Sequence, residues 1–370
     1  MPRTTRLLTL TLALAAVSAP LDLAAQARWR LQEIARVGGS DEGLASFNDI
    51  RDLQLDDKGQ LWVLDFQLSS LRLFGADGRP IKEVARRGAG PGELGRTNGF
   101  RPLPDGRLVA RDYSNRRWTL FAPDGSFASQ ARGDFTSYGY RWEAGVDREG
   151  RVVEQTSVRR GDSGALVLVR WSADFTRADT TEFPTGCVDG EMPPSGIEGK
   201  SGFVGIPFAP RVVSTLSPTG ALWCASTDGY VVRRIPFGAN AADRELKRTV
   251  PRVPIARAVR DSAIAAVQEF LVKIGGPVKP WNPATVARDR GPIVALETDE
   301  QDRLWVLRET PQGPLELDVW DARGAHVASL PVPLTYQYSP LFRIRGDRIA
   351  MVVLDADDLP TIVMARIVRP

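Results

Sequence analysis

Gly90, Gly92 and Gly95 in the stretch GPGELG (90–95) fit G-x-G-x-x-G, the spacing with which a glycine-rich turn cradles a dinucleotide pyrophosphate. Such a turn works when it opens a helix, whose N-terminal N–H groups and partial positive charge meet the phosphates. A strand-like IKEVA (81–85) precedes the turn, but RTNGFRPLPDG (96–106), with two prolines and a second turn, follows it. The stretch therefore reads as a chain reversal between strands, and nucleotide binding is not expected. The single histidine, His326, lies in RGAHVAS (323–329); one imidazole and two cysteines are too few for a zinc site. Cys187 and Cys224 leave two readings open. They could form one disulfide if the chain is exported, or Cys224, which in ALWCAS (221–226) takes the place of Val63 and Val306 in similar segments, is simply a small buried hydrophobe.

The N-terminus bears on that choice. Arg3 and Arg6 precede the apolar run LLTLTLALAAVSA (7–19), and Ala25-Gln26-Ala27 stands before Arg28. This is the pattern of a secretory signal peptide over 1–27, its apolar run well short of the roughly 20 residues that span a bilayer. The mature chain is expected to begin near Arg28, to reach the periplasm or the extracellular space, and to hold no membrane span. Without Arg3, Arg6 and Asp22 it carries 46 basic and 44 acidic residues. So even a balance, spread along the chain, speaks against nucleic acid or a polybasic membrane contact.

What must position any site is a repeat. A turn with Gly or Asp, a polar residue and an alternating apolar strand recur as KGQLWVLD (58–65), DGRLVARD (105–112), EGRVVEQT (149–156), TGALWCAS (219–226), QDRLWVLR (301–308) and GDRIAMVV (346–353). Counted between Gly59, Gly106, Gly150, Gly220, Asp302 and Asp347, the spacings are 47, 44, 70, 82 and 45. Three of these match one four-stranded propeller blade. The two long intervals hold inserts. Residues 184–207 are rich in Gly and Pro and read as a loop. Within 255–283, residues 256–274 place Val259, Ile264, Val267, Phe270, Leu271 and Ile274 at mostly three- and four-residue steps, an amphipathic helix. Each unit but the last continues through a second alternating strand into a hairpin, as in LRLFGADGRPIKEV (71–84). The sixth ends one strand short, and RWRLQEIARV (28–37) supplies a spare strand ahead of the first. The expected fold is all-β: a six-bladed β-propeller over 28–370, closed by its N-terminal strand so that no sheet edge stays open, with one inserted helix.

In the first unit, Gly59 to Asp65, Leu73 to Gly78 and Gly88 to Glu93 follow a D-G-x-hydrophobic-W-V-x-D strand, a hydrophobic-F-x-x-D-G hairpin and a G-x-G-P-G-E link. In these elements the chain resembles the exported bacterial six-bladed β-propellers related to the NHL-repeat propellers. The resemblance covers about 28–370 and is most specific in the first two units and in FAPRVVSTLSPTGALWCASTDGY (208–230). It implies the fold more than an activity, since most members have none assigned. It also implies that Asp65 and Asp112 cap turns, with an ion pair from Asp112 to Arg116. The chain departs from the pattern in EGRVVEQT, which lacks the Trp and the terminal Asp, and at Arg308 in the fifth unit.

Propellers bind ligands where their inner strands converge, so the residues that begin those strands are the candidates: Phe100, Arg101, Tyr140, Arg141, Trp142, Phe208, Arg211 and Arg290. Guanidinium groups grip carboxylates in a fork and stack on flat rings, which favours a small anionic ligand, aromatic or carbohydrate-like. The plain alternative is that the aromatics wedge between blades and the arginines are solvated. The expected function is an exported, non-catalytic, monomeric module that binds a small molecule or a protein and needs no cofactor. Similarity to the gluconolactonase-like propellers implies an alternative, a hydrolase or lyase whose calcium is held by oxygens, with Asn48, Asp49, Asn98 and Asp289 as candidates. His326 is expected on the outer side of a blade, away from such a site. The stripe on the helix at 256–274 is expected to bury itself on the chain's own propeller.

Overall fold

Strands Leu61–Asp65, Ser70–Phe74 and Leu108–Asp112 are buried at every position, which requires cover on both faces of each sheet. Sheets stacked radially provide it. The computed structural model describes residues 29–39, 42–135, 141–161, 163–332 and 342–369; the signal peptide expected at 1–27 lies outside them. The described residues form six four-stranded antiparallel sheets. Blades 1 to 5 span 50–85, 97–132, 144–182, 212–247 and 293–332. Blade 6 is built from both ends of the chain. Its strands Phe342–Arg345, Arg348–Leu354 and Pro360–Val368 are completed by Arg30–Gly38, which runs antiparallel along the last of them from Arg30 opposite Val368 to Gly38 opposite Thr361.

Six apolar clusters fill the six interfaces between consecutive blades among the described residues. The tryptophans of the repeated phrase serve here: Trp62, Trp223 and Trp305 are fully buried between blades. Asp56 and Asp299, which open the inner hairpin turns of blades 1 and 5, accept from the Trp62 and Trp305 indoles at 3.3 and 2.9 Å. The outermost strands face water and are correspondingly polar, as in Phe127–Arg132 and Ala178–Glu182, which guards their free edges against pairing.

Buried carboxylates tie a blade to the link that enters it. Asp65 accepts from the backbone of Asn48 and Leu68 at 2.8 and 3.1 Å, and Asp112 from Gly95 N, Asn115 and Arg117 at 2.9, 2.7 and 3.0 Å. The cation that pairs with Asp112 is thus Arg117 rather than Arg116, which faces outward to Asp134 at 2.8 Å. Arg116 is the last residue of the turn, at φ 52°, whereas Arg117 opens the strand beside Asp112. Arg117 also donates to the carbonyls of Ala89, Gly90 and Glu93, pinning GPGELG as the link between blades 1 and 2. The Glu93 carboxylate takes the Gly90 N–H at 3.0 Å, the kind of group a phosphate would need, and a strand follows the loop.

The two departures from the repeat have a common explanation. In blade 3 the terminal Asp is replaced by Glu154, two positions earlier, which accepts from Arg111, Trp142 and Trp171 at 2.9, 2.6 and 2.9 Å. In blade 5 the carboxylate moves to the next strand. Asp318 accepts from Arg308, Tyr230 and Ser329 at 2.9, 2.8 and 2.6 Å, and although burial raises its pKa, these donors hold it below the ordinary carboxylate value.

The inserts form one assembly. The segment 184–207, expected as a plain loop, contains a hairpin, Gly196–Gly199 with Gly202–Gly205; its glycines hid the strand signal. The helix runs Arg257–Lys273 and buries Val267, Leu271 and Ile274 against Ile197, Val204, Ile206 and Trp281. Its stripe is narrower than the sequence suggests, since Val259 and Phe270 are exposed. Leu271→Ala is expected to cost about 2 kcal/mol, with faster amide exchange confined to the helix and hairpin. Exchange unchanged there would mean the helix is anchored by other contacts. Among the described residues no helix is long and apolar enough to cross a membrane.

Candidate functional site

The inner strands enclose a central channel, a cavity of about 580 Å³ to which all six blades contribute wall. Because each inner strand enters a hairpin turn of similar form, positions counted back from the turn recur around the ring. Asp56, Leu103 and Asp299 open three of these turns, each with its N–H on the carbonyl four residues ahead. Two residues before them stand Gln54, Arg101 and Glu297, all on the channel wall.

The wall carries a connected set of charges. Arg101 pairs with Asp52 and donates to the carbonyls of Phe100, Trp142 and Ala144 at 2.6, 2.7 and 2.6 Å. Asp52 also accepts from Leu53 N, Phe100 N and Arg343 at 3.0, 3.1 and 3.0 Å, and Arg343 reaches on to Glu297 at 2.8 Å. Four charges thus join blades 1, 2, 5 and 6 across the lumen. Gly99 makes room for this: a Cβ there would lie 2.6 Å from the Trp142 side chain and 3.0 Å from Asp52. Burial raises the Glu297 pKa although Arg343 and Arg101 oppose it. Burial also lowers that of Arg101, against the attraction of Asp52.

Four of the sequence candidates come together here. Arg101, Arg141, Trp142 and Arg211 line the cavity, but they do different things. Arg101 is a strut between blades, 7% exposed, and Trp142 is wedged between blades 2 and 3 with its indole on Glu154. Arg141 and Arg211 line the cavity from blades 3 and 4, the Arg211 guanidinium lying 3.5 Å from the Val294 carbonyl. Phe100 is buried in the core between blades 1 and 2, since the residue after Gly99 points into the blade interface. Phe208 and Arg290 pack on each other at 5.8 Å outside the cavity, with Arg290 held by Glu309 at 2.7 Å. Tyr140 lies outside the described residues. Counting from the turn would have found Glu297 and Gln54; nothing in the sequence marked Asp52 as the hub, because its partners come from strands 49 and 291 residues away.

The proposed oxygen ligands do not converge on the channel. Asp49 pairs with Arg51 at 2.5 Å, Asp289 pairs with Arg252, and the Asn98 side-chain oxygen accepts from Arg111 at 3.4 Å; neither these nor Asn48 line the cavity. Among the described residues no three His, Cys, Asp or Glu side chains gather as a metal would need. These residues do not fit a calcium site of the kind the family similarity suggests. His326 begins the outermost strand of blade 5, its Nε2 3.1 Å from Ser329 and 3.7 Å from Asp318. The three residue types of a hydrolytic triad are present, in the wrong order. The Ser329 hydroxyl donates to Asp318, so the serine-to-histidine-to-aspartate relay of such a triad is not formed. Cys187 and Cys224 are joined by a disulfide, so of the two open readings the bridge is the one the structure has, and both cysteines are buried in an apolar cluster.

No family model matches the chain, and no curated protein matches it in sequence. Solved structures do. A protein of Bacteroides fragilis named as exported is 12% identical with a TM-score of 0.50, the match covering 94% of this chain and 98% of that one. A member of the DUF4221 family from Bacteroides vulgatus is 12% identical with a TM-score of 0.53, covering 93% and 100%. Virginiamycin B lyase from Staphylococcus aureus is 12% identical with a TM-score of 0.45, covering 92% and 100%. At such identity the likeness is one of fold: this chain is a six-bladed β-propeller, as its repeat implies.

Proposed function

We propose that this chain is an exported binding propeller that takes a small polar ligand into its central channel. The cavity carries the reading: about 580 Å³ falls within the roughly 300–1,000 Å³ of small-molecule sites. Its wall is preorganised by the Asp52 network, so little ordering is left to oppose binding. The signal-peptide pattern of 1–27 supports export, and the oxygen donors give a metal-dependent hydrolase or lyase no support.

The test is a melting-temperature screen of residues 28–370 against small organic acids, sugars and amino acids. Hits are expected to weaken at least about tenfold in Arg141→Ala or Arg211→Ala, given about 1.5–3 kcal/mol for a charge-assisted hydrogen bond. Arg101→Ala is unsuitable because it removes a strut. Melts taken after EDTA and after calcium is restored are expected to superimpose; a rise with calcium would return the metal-dependent reading to favour.

A further inference from the structure

The charged residues of the channel wall fall into two groups by blade. On blades 1, 2, 5 and 6, Arg101, Asp52, Arg343 and Glu297 neutralise one another. On blades 3 and 4, Arg141 and Arg211 occupy one register, each six positions before Asp147 or Ser217, the residues that open the two inner hairpin turns. Two arginines on neighbouring blades therefore line the cavity. Glu143, two residues further in than Arg141, lines the same cavity, is exposed to it, and makes no ion pair or side-chain hydrogen bond among the described residues. Its charge is felt across the lumen by Glu297 and Arg343. Gly145, Val213, Thr215 and Ala295 line the same cavity with small or uncharged side chains. A carboxylate two residues along the chain from a guanidinium, just ahead of the strand Ala144–Val146, presents both signs of charge to one small molecule.

Resting on the channel reading above, we propose that the ligand is a zwitterion, an α-amino acid or a short peptide, whose carboxylate meets Arg141 and Arg211 and whose ammonium meets Glu143. This narrows the anionic ligand that the arginines alone suggest. It also gives Glu143 a role as a specificity residue.

Isothermal titration of residues 28–370 with phenylalanine, Ala-Phe, N-acetyl-Ala-Phe and Ala-Phe amide tests it. Phenylalanine or Ala-Phe is expected to bind, which separates a free amino acid from a peptide, and loss of either terminal charge should weaken Ala-Phe about tenfold or more. Glu143→Gln should weaken the free amine about tenfold, leave the N-acetyl compound unchanged and melt like the parent; Glu143→Asp should recover part of the loss. Equal binding of free and acetylated peptide, or indifference to Glu143→Gln, overturns the proposal. If all four fail while gluconate binds and Arg211→Ala weakens it, the zwitterion is wrong and the channel reading stands. If gluconate also fails, and the screen yields no ligand sensitive to Arg211→Ala, both readings fall.

Discussion

Replacing Asp52 by alanine is expected to cost about 3–5 kcal/mol of folding stability and to lower the melting temperature by roughly 10 °C. The carboxylate is 3% exposed and is the shared counter-ion of Arg101 and Arg343, whose side chains are 9% and 16% exposed. Without it two guanidinium groups face each other in the channel wall with Glu297 as the remaining partner. The backbone N–H groups of Leu53 and Phe100 also lose their acceptor, and an unsatisfied buried donor costs about 1–3 kcal/mol. Asp52→Asn keeps the shape and one acceptor oxygen, so an intermediate loss is expected. Replacing the whole network by apolar residues of similar volume should be far milder than breaking it at one point. A melt of Asp52→Ala within about 2 °C of the parent would show that the pairs behave as solvated surface bridges and that the channel wall is soft.

The sequence made the ring legible because propeller blades are local objects. Turn glycines such as Gly59 and Gly106, both at positive φ, and the apolar strands after them lie within one short repeat, and the spare strand at 28–37 could be matched to the missing strand at the other end by counting. What joins blade to blade was not legible. Glu154 appeared as a lapse in the pattern and Arg308 as another, yet each belongs to a carboxylate hub whose partners come from a different strand or blade. A charge moved to a neighbouring strand leaves the contact intact and the motif broken. The candidate site divides in the same way. Position before an inner strand found Arg141 and Arg211, but could not tell them from Arg101, because the difference is made by Asp52 on a neighbouring blade. Aromatics at those positions proved to be wedges in the case of Phe100 and Trp142, as radially stacked sheets demand of large side chains.

The largest effect away from the channel is expected at the disulfide. The cluster between blades 3 and 4 is the smallest of the six among the described residues, with Leu168, Leu222, Ile235 and the two cysteines as its buried members, whereas the others bury ten or more. The bridge joins the start of the insert after blade 3 to the second strand of blade 4 across a separation of 37 residues. It therefore lies at the interface with least apolar burial. Closing a loop of that length removes conformational freedom from the unfolded chain worth about 4 kcal/mol. Cys187→Ala/Cys224→Ala is expected to lose about that much in a denaturant melt, with the rest of the ring still folded at low denaturant. Two alanines also leave space where two sulfurs packed, and Cys224 is fully buried, so Cys187→Ser/Cys224→Val separates the cross-link from the filling. If the Val variant recovers most of the stability, packing dominates and the bridge is incidental. If it stays near the alanine pair, the cross-link is what holds blades 3 and 4 together, and a reductant should lower the unfolding midpoint of the parent by the same amount while leaving either variant unchanged.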